Sequence, residues 1–248
     1  MKLLTKASYS GEISEREKRN LEIAYKAACE SIVLLKNDGI LPLKKKKVAL
    51  YGPGVTRTIK GGTGSGEVNE RHSVTILEGM ENRGFEITTS SWLRDYEADY
   101  VKGEALHKQE QRDVKKLLKS KSFMEMMFKG YIPPAGRAIT EKDISDSDTD
   151  TAIYVLSRQA GEGGDRKAEK GDLFITDEER LAIETCVANY PNFVLVINSG
   201  CSIDMSFVDE ICGIGAILFI CQLGTEGGNA FADVISGKVT PCGKLAIP

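Results

Sequence analysis

The segment Ser157 to Asp172, "SRQAGEGGDRKAEKGD", sets one carboxylate, Glu162, between Gly161 and Gly163, then adds Asp165 and Arg166. Glycine neighbours give a carboxylate no side-chain cover, so its surroundings are set by whatever docks against the loop. A carboxyl in a partly desolvated pocket has a raised pKa and suits general acid work. Asp165 and Arg166 either hold the loop through a charge-assisted contact or touch substrate hydroxyls. A solvent-exposed turn with an incidental carboxylate is the competing reading of the same residues.

A second stretch, Gly52 to Gly66 in "GPGVTRTIKGGTGSGEVN", is the most glycine-dense part of the chain. Such a loop lets a ligand approach the main chain closely. It departs from the phosphate-binding patterns. Lys60 precedes the glycines where a Walker loop needs Gly-Lys-Ser/Thr, and extra loop separates the strand from the next helix. A surface loop with Arg57 and Lys60 in water is the alternative. Ser199 in "NSGCS" sits outside a Gly-x-Ser-x-Gly elbow, and Glu226 in "LGTEGG" reads as a helix-capping, first-turn acid. Only His72 and His107 are present, and the six cysteines include no Cys-x-x-Cys pair. Zinc ligation and a Ser-His-Asp triad are therefore poorly supplied, and no metal or cofactor is expected. The cysteines read as reduced, buried thiols.

These loops need elements to position them. Apolar residues at helical spacing run from Ser14 through Leu35, with Ser14 and Glu17 in a capping-box pattern. "NDGILPL" ends that helix. Strands are predicted at "VALYG", "FEITTS" (weaker), "TAIYVLS", "NFVLVINSG" and "GAILFICQ". Helices are predicted at "SVTILEGMENRG", along the charged flank from Leu93 to Lys129, at "TDEERLAIETCVAN" capped by Thr176, and at "TEGGNAFADVISGK". "GYIPPAGRAITEKDISDSDTD" reads as a polar connection. Short apolar strands alternating with amphipathic helices predict an α/β fold: a three-layer α/β/α sandwich on a mainly parallel, flavodoxin-like sheet of five or six strands. Ligand chemistry in such folds gathers at the carboxyl edge of the sheet, where both glycine loops would lie.

The 248 residues carry a net charge of −3, with 41% hydrophobic and 28% charged residues. That supplies a core for one large or two small domains and no basic surplus for nucleic acid. The N-terminus has no signal-peptide core, and the longest apolar run, "ICGIGAILFIC", is too short to cross a membrane. A cytoplasmic protein is expected.

Taken together, "ESIVLLKNDGILPL", "TIKGGTGSGEVNERHSVTILEGM", "SRQAGEGGDRKAEKGDLFITDEE" and "GGNAFADVISGKVTPCGKLAIP" closely resemble glycoside hydrolase family 3. The match is to its α/β sandwich domain, from about Lys26 to Pro248, with residues 1–25 a leader and 92–150 a flank without a matching motif. In that family a (β/α)8 barrel supplies an aspartate nucleophile, and the sandwich domain lends the acid/base glutamate across the domain interface. The resemblance implies Glu162 as acid/base, with Ala160 where serine is frequent and Gly164 where a side chain often sits. The glycine there would open the leaving-group side of the pocket. It further implies Lys60, Gly61 and Gly62 as pocket lining and Asp165 and Arg166 as substrate-side residues. No Ser/Thr-Asp-Trp nucleophile segment is present, and a barrel would need roughly another 250 residues. The resemblance thus implies an excised or truncated piece of a member with the sandwich before the barrel, inactive alone. The complete enzyme would be a retaining β-glucosidase, or next a β-xylosidase. The rival reading is a non-enzymatic, flavodoxin-like binding module for a phosphate or cofactor.

Overall fold

The structure, a computed structural model, describes residues 11–63, 68–116, 131–160 and 166–245, with the backbone alone at 111 and 113–116. Among these, six strands form one sheet: β1 (Val33–Asn37), β2 (Lys47–Tyr51), β3 (Glu86–Ile87), β4 (Thr151–Arg158), β5 (Asn192–Ser199) and β6 (Ala216–Phe219). Their spatial order is β1-β6-β5-β4-β2-β3. All neighbours run parallel except β1, which pairs antiparallel with β6. Helices α1 (Glu15–Ser31), α2 (Ile76–Asn82), α3 (Ser90–Lys116), α4 (Glu141–Ser147), α5 (Asp177–Asn189), α6 (Phe207–Glu210) and α7 (Gly227–Ile235) complete the three-layer α/β/α sandwich.

Apolar content decides which strands are central. Every residue of β4 is buried, as are all but the first of β5, because helices cover both faces of a parallel sheet. Helix starts follow their caps. Thr75 with Glu78 and Thr176 with Glu179 form reciprocal capping boxes, and Ser14 accepts the Glu17 amide. Helices α1, α2 and α7 meet at the buried Asp233. Its carboxylate accepts from Arg83 (2.7 and 3.0 Å), the Tyr25 hydroxyl (2.5 Å) and Lys238 (3.1 Å). On Tyr51 at the end of β2, α3 contributes Trp92 edge-on, and the Tyr190 hydroxyl lies 2.9 Å from that of Tyr51.

Several expectations are corrected. The first helix stops at Ser31, and Val33–Asn37 is a strand rather than the helix's last turns. Ile32 and Val33 are β-branched, and from Val33 onward the chain pairs with β6, which thereby gains an edge partner. Leu35, counted on the helix's apolar face, is exposed. The polar connection before β4 contains α4, capped reciprocally by Thr140 and Asp143. The flank is a single 27-residue helix to Lys116, whose Trp92, Leu93 and Tyr96 are in the core; the predicted helix beyond it, to Lys129, lies outside the described residues. All six cysteines are free, but only Cys29 and Cys186 are buried, while Cys212 and Cys242 are exposed. Glu226 occupies the N-cap position of α7 without capping it; its carboxylate accepts from the Asn229 side chain instead.

Candidate active site

Strands β2, β4, β5 and β6 all end at one edge of the sheet, and the loops that follow them are bonded into one layer. Gly52 and Gly54 open the first loop. A Cβ on either would strike Val155 of β4, so these glycines serve strand packing rather than a ligand cradle. Gly52 also takes φ +95°, a conformation that favours glycine. Farther along, a Cβ on Gly61 would meet nothing within 4 Å, so the chain faces open space there.

The glycine loop and the root of the Glu162 segment are neighbours, although about a hundred residues separate them in sequence. The Thr63 amide donates to the Ala160 carbonyl (3.2 Å), and the Gln159 side-chain amide donates to the Gly61 carbonyl (2.9 Å). On the far side of the segment, Arg166 donates to the Gln159 carbonyl (3.1 Å), pairs with Asp172 and lies against the Cys201 sulfur. Burial alone would raise the Asp172 carboxyl, but the Lys167 amide and the Arg166 guanidinium hold it below its usual value. Glu162 and Asp165, together with Gly64 to Gly66, lie outside the described residues.

Beneath this layer sits an ion pair that sequence reasoning missed. Arg158, the last residue of β4, forks onto Glu179 of α5 with bonds of 2.6 and 2.5 Å, and both are buried. The same guanidinium donates to the Asp172 carbonyl (3.2 Å). The signal was an arginine closing a strand whose interior, Ala152 to Leu156, is apolar. Lys60 and Arg166 are both engaged by protein partners. The Lys60 ammonium pairs with Glu70, whose carboxyl it holds below its usual value, and Ser73 donates to the same carboxylate. Arg57, though exposed, also has partners: it pairs with Glu97 and stacks 4.1 Å from the centre of the Tyr100 ring on α3. The Ser199 hydroxyl is occupied in a turn, donating to the Cys201 carbonyl (2.7 Å).

A parallel α/β sandwich with glycine-rich loops gathered on its carboxyl edge defines a class of ligand-facing domain rather than a chemistry. Comparison with known proteins narrows it. The model of the glycosyl hydrolase family 3 C-terminal domain matches residues 32–248. β-Glucosidase A of Butyrivibrio fibrisolvens is 29% identical over 96% of this chain and 29% of its own length. A β-glucosidase of Ruminococcus albus is 30% identical over 91% of this chain and 22% of its own. β-Glucosidase 3B of Thermotoga neapolitana, solved in complex with α-D-glucose, superposes with a TM-score of 0.71 at 31% identity, over 94% of this chain and 31% of that one. The chain belongs to glycoside hydrolase family 3, as its C-terminal α/β sandwich domain. It spans less than a third of the length of these relatives.

Proposed function

We propose that this chain, from about residue 26 onward, is the sandwich domain of a retaining β-glucosidase and that Glu162 is its general acid/base. A (β/α)8 barrel would hold the sugar and supply the aspartate nucleophile. Retention needs the two carboxyls about 5–5.5 Å apart, so that one attacks the anomeric carbon directly. Glu162 would protonate the departing glycosidic oxygen, then take a proton from the water that releases the glycosyl-enzyme. Two carboxylates suffice for both steps, and no metal enters. The substrate would be a terminal, non-reducing β-D-glucosyl residue, with β-xylosides as the nearer alternative. Gly61 and Gly62, with Lys60 held by Glu70, would border the pocket. Arg166 and Asp165 would flank the acid.

What supports this reading is juxtaposition. Gly61 and Thr63 are bonded to Gln159 and Ala160, so the glycine loop and the root of the Glu162 segment share one edge of the sheet. The β-glucosidases it resembles give the chemistry its direction. Six free thiols fit a reducing, cytoplasmic setting.

The chain alone, lacking a nucleophile segment, would not turn over substrate. Nitrophenyl β-D-glucoside hydrolysis by the purified 248-residue chain should stay at background and appear once the chain is joined to a family barrel. Turnover by the chain alone that disappears in Glu162→Ala would overturn the division of labour.

A further inference from the structure

Asn198, the penultimate residue of β5, is a wholly buried amide directly after the apolar run Phe193–Ile197, and none of the chemistry above uses it. Its Oδ1 accepts the Ile59 amide (2.6 Å), while Nδ2 donates to the carbonyls of Ile59 (3.0 Å) and Cys221 (2.7 Å). One side chain thus reads both backbone groups of the residue before Lys60 and ties them to the loop after β6. Only an uncharged amide supplies an acceptor and two donors in that arrangement. From Ile59 the bonding continues outward. The Lys60 carbonyl accepts the Gly224 amide (2.8 Å), the Gly61 carbonyl accepts from Gln159, and the Thr63 amide donates to Ala160. Cys221, the other residue gripped, has φ +48°, strain that a non-glycine residue keeps only where its surroundings enforce it.

We propose that Asn198 is the positioning residue of this edge: it fixes the Ile59–Thr63 wall, and through Gln159 and Ala160 it sets where the Glu162 segment is rooted. The bearing on catalysis rests on the function proposed above, whereas the frame itself belongs to this chain alone. An ionised aspartate in its place would keep the acceptor for Ile59 but turn a second oxygen toward two carbonyls. Protonation would restore one donor, and burial raises the pKa at which that happens.

Amide hydrogen exchange in the 248-residue chain, read residue by residue by NMR, tests this. In the native chain, protection factors at Ile59, Thr63 and Gly224 should be independent of pH. Asn198→Ala should cut protection at all three by about tenfold or more, while Leu195 and Val196 in the same strand keep theirs. Asn198→Asp should lose protection at Thr63 and Gly224 near about pH 8, where the ionised carboxylate faces two carbonyls, and regain it toward about pH 5. The aspartate variant, compared with itself across pH, decides the matter even if the alanine variant fails to fold. Unchanged protection at Ile59 and Thr63 would overturn the proposal. So would an equal loss in the strand amides, or an aspartate variant indifferent to pH. None of these readings involves sugar turnover, so a failure of the glycosidase assignment leaves the result interpretable.

Discussion

Arg158 and Glu179 show what a single residue can decide in this domain. Two charges taken from water must be fully satisfied by each other and by nearby carbonyls, and here they are. Arg158→Met strands a buried carboxylate and should lower unfolding free energy by about 3–5 kcal/mol, measured by urea denaturation. The double variant Arg158→Met/Glu179→Leu should recover much of that loss. Asp233 makes a pH-dependent contribution. Burial acts to raise its carboxyl, but Arg83, Tyr25 and Lys238 outweigh burial and hold it below the ordinary carboxylate value. A carboxyl depressed by folding stabilises the fold above its unfolded pKa of about 4, and that contribution is lost as pH falls through the lower folded value. The stability gap between the native chain and Asp233→Asn should therefore be full near about pH 6 and shrink below about pH 4. A gap that ignores pH would contradict this. None of these partners could be paired from the sequence. Glu179 is the third residue of the helix capped by Thr176 and closes its capping box, while its bond to an arginine twenty-one positions earlier depends on the fold.

Among the elements, helices α2 and α7 cross where Gly79 faces Gly228. A Cβ on Gly79 would overlap the Gly228 backbone, and one on Gly228 would overlap the Thr75 carbonyl. Gly79→Ala should cost about 1–3 kcal/mol by forcing the helices apart, seen as a lower thermal midpoint with unchanged helical content. Periodicity made most of this layer legible. The apolar runs of β2, β4, β5 and β6 and the threonine-led caps of α2 and α5 are local signals that the fold leaves intact. Residues 32–37 resisted because their spacing fits a helix, while the sheet offered β6 as an edge partner that no local pattern records. Helix α4 was hidden by its short length and polar composition, although Thr140 and Asp143 carried the capping signature. At the site, the glycine loops were legible as loops on one edge. The bonding of Asn198 was not, because its partners Ile59 and Cys221 lie far from it in sequence.

At the scale of the molecule, this is a layered scaffold with its glycine-rich loops on one edge. The loops after β2, β4, β5 and β6 are tied to one another, so that edge forms one continuous surface, which the proposed function would present to a barrel domain. In the function proposed, Glu162 handles the proton at that surface. The direct test is leaving-group dependence in a polypeptide that joins this domain to a family barrel. With Glu162→Ala, hydrolysis of alkyl β-glucosides should fall by about 10²–10⁴-fold, whereas dinitrophenyl β-glucoside, which needs no protonation, should still form the glycosyl-enzyme readily. Added azide should then speed release and yield β-glucosyl azide. Equal losses on good and poor leaving groups, with no azide product, would contradict the account.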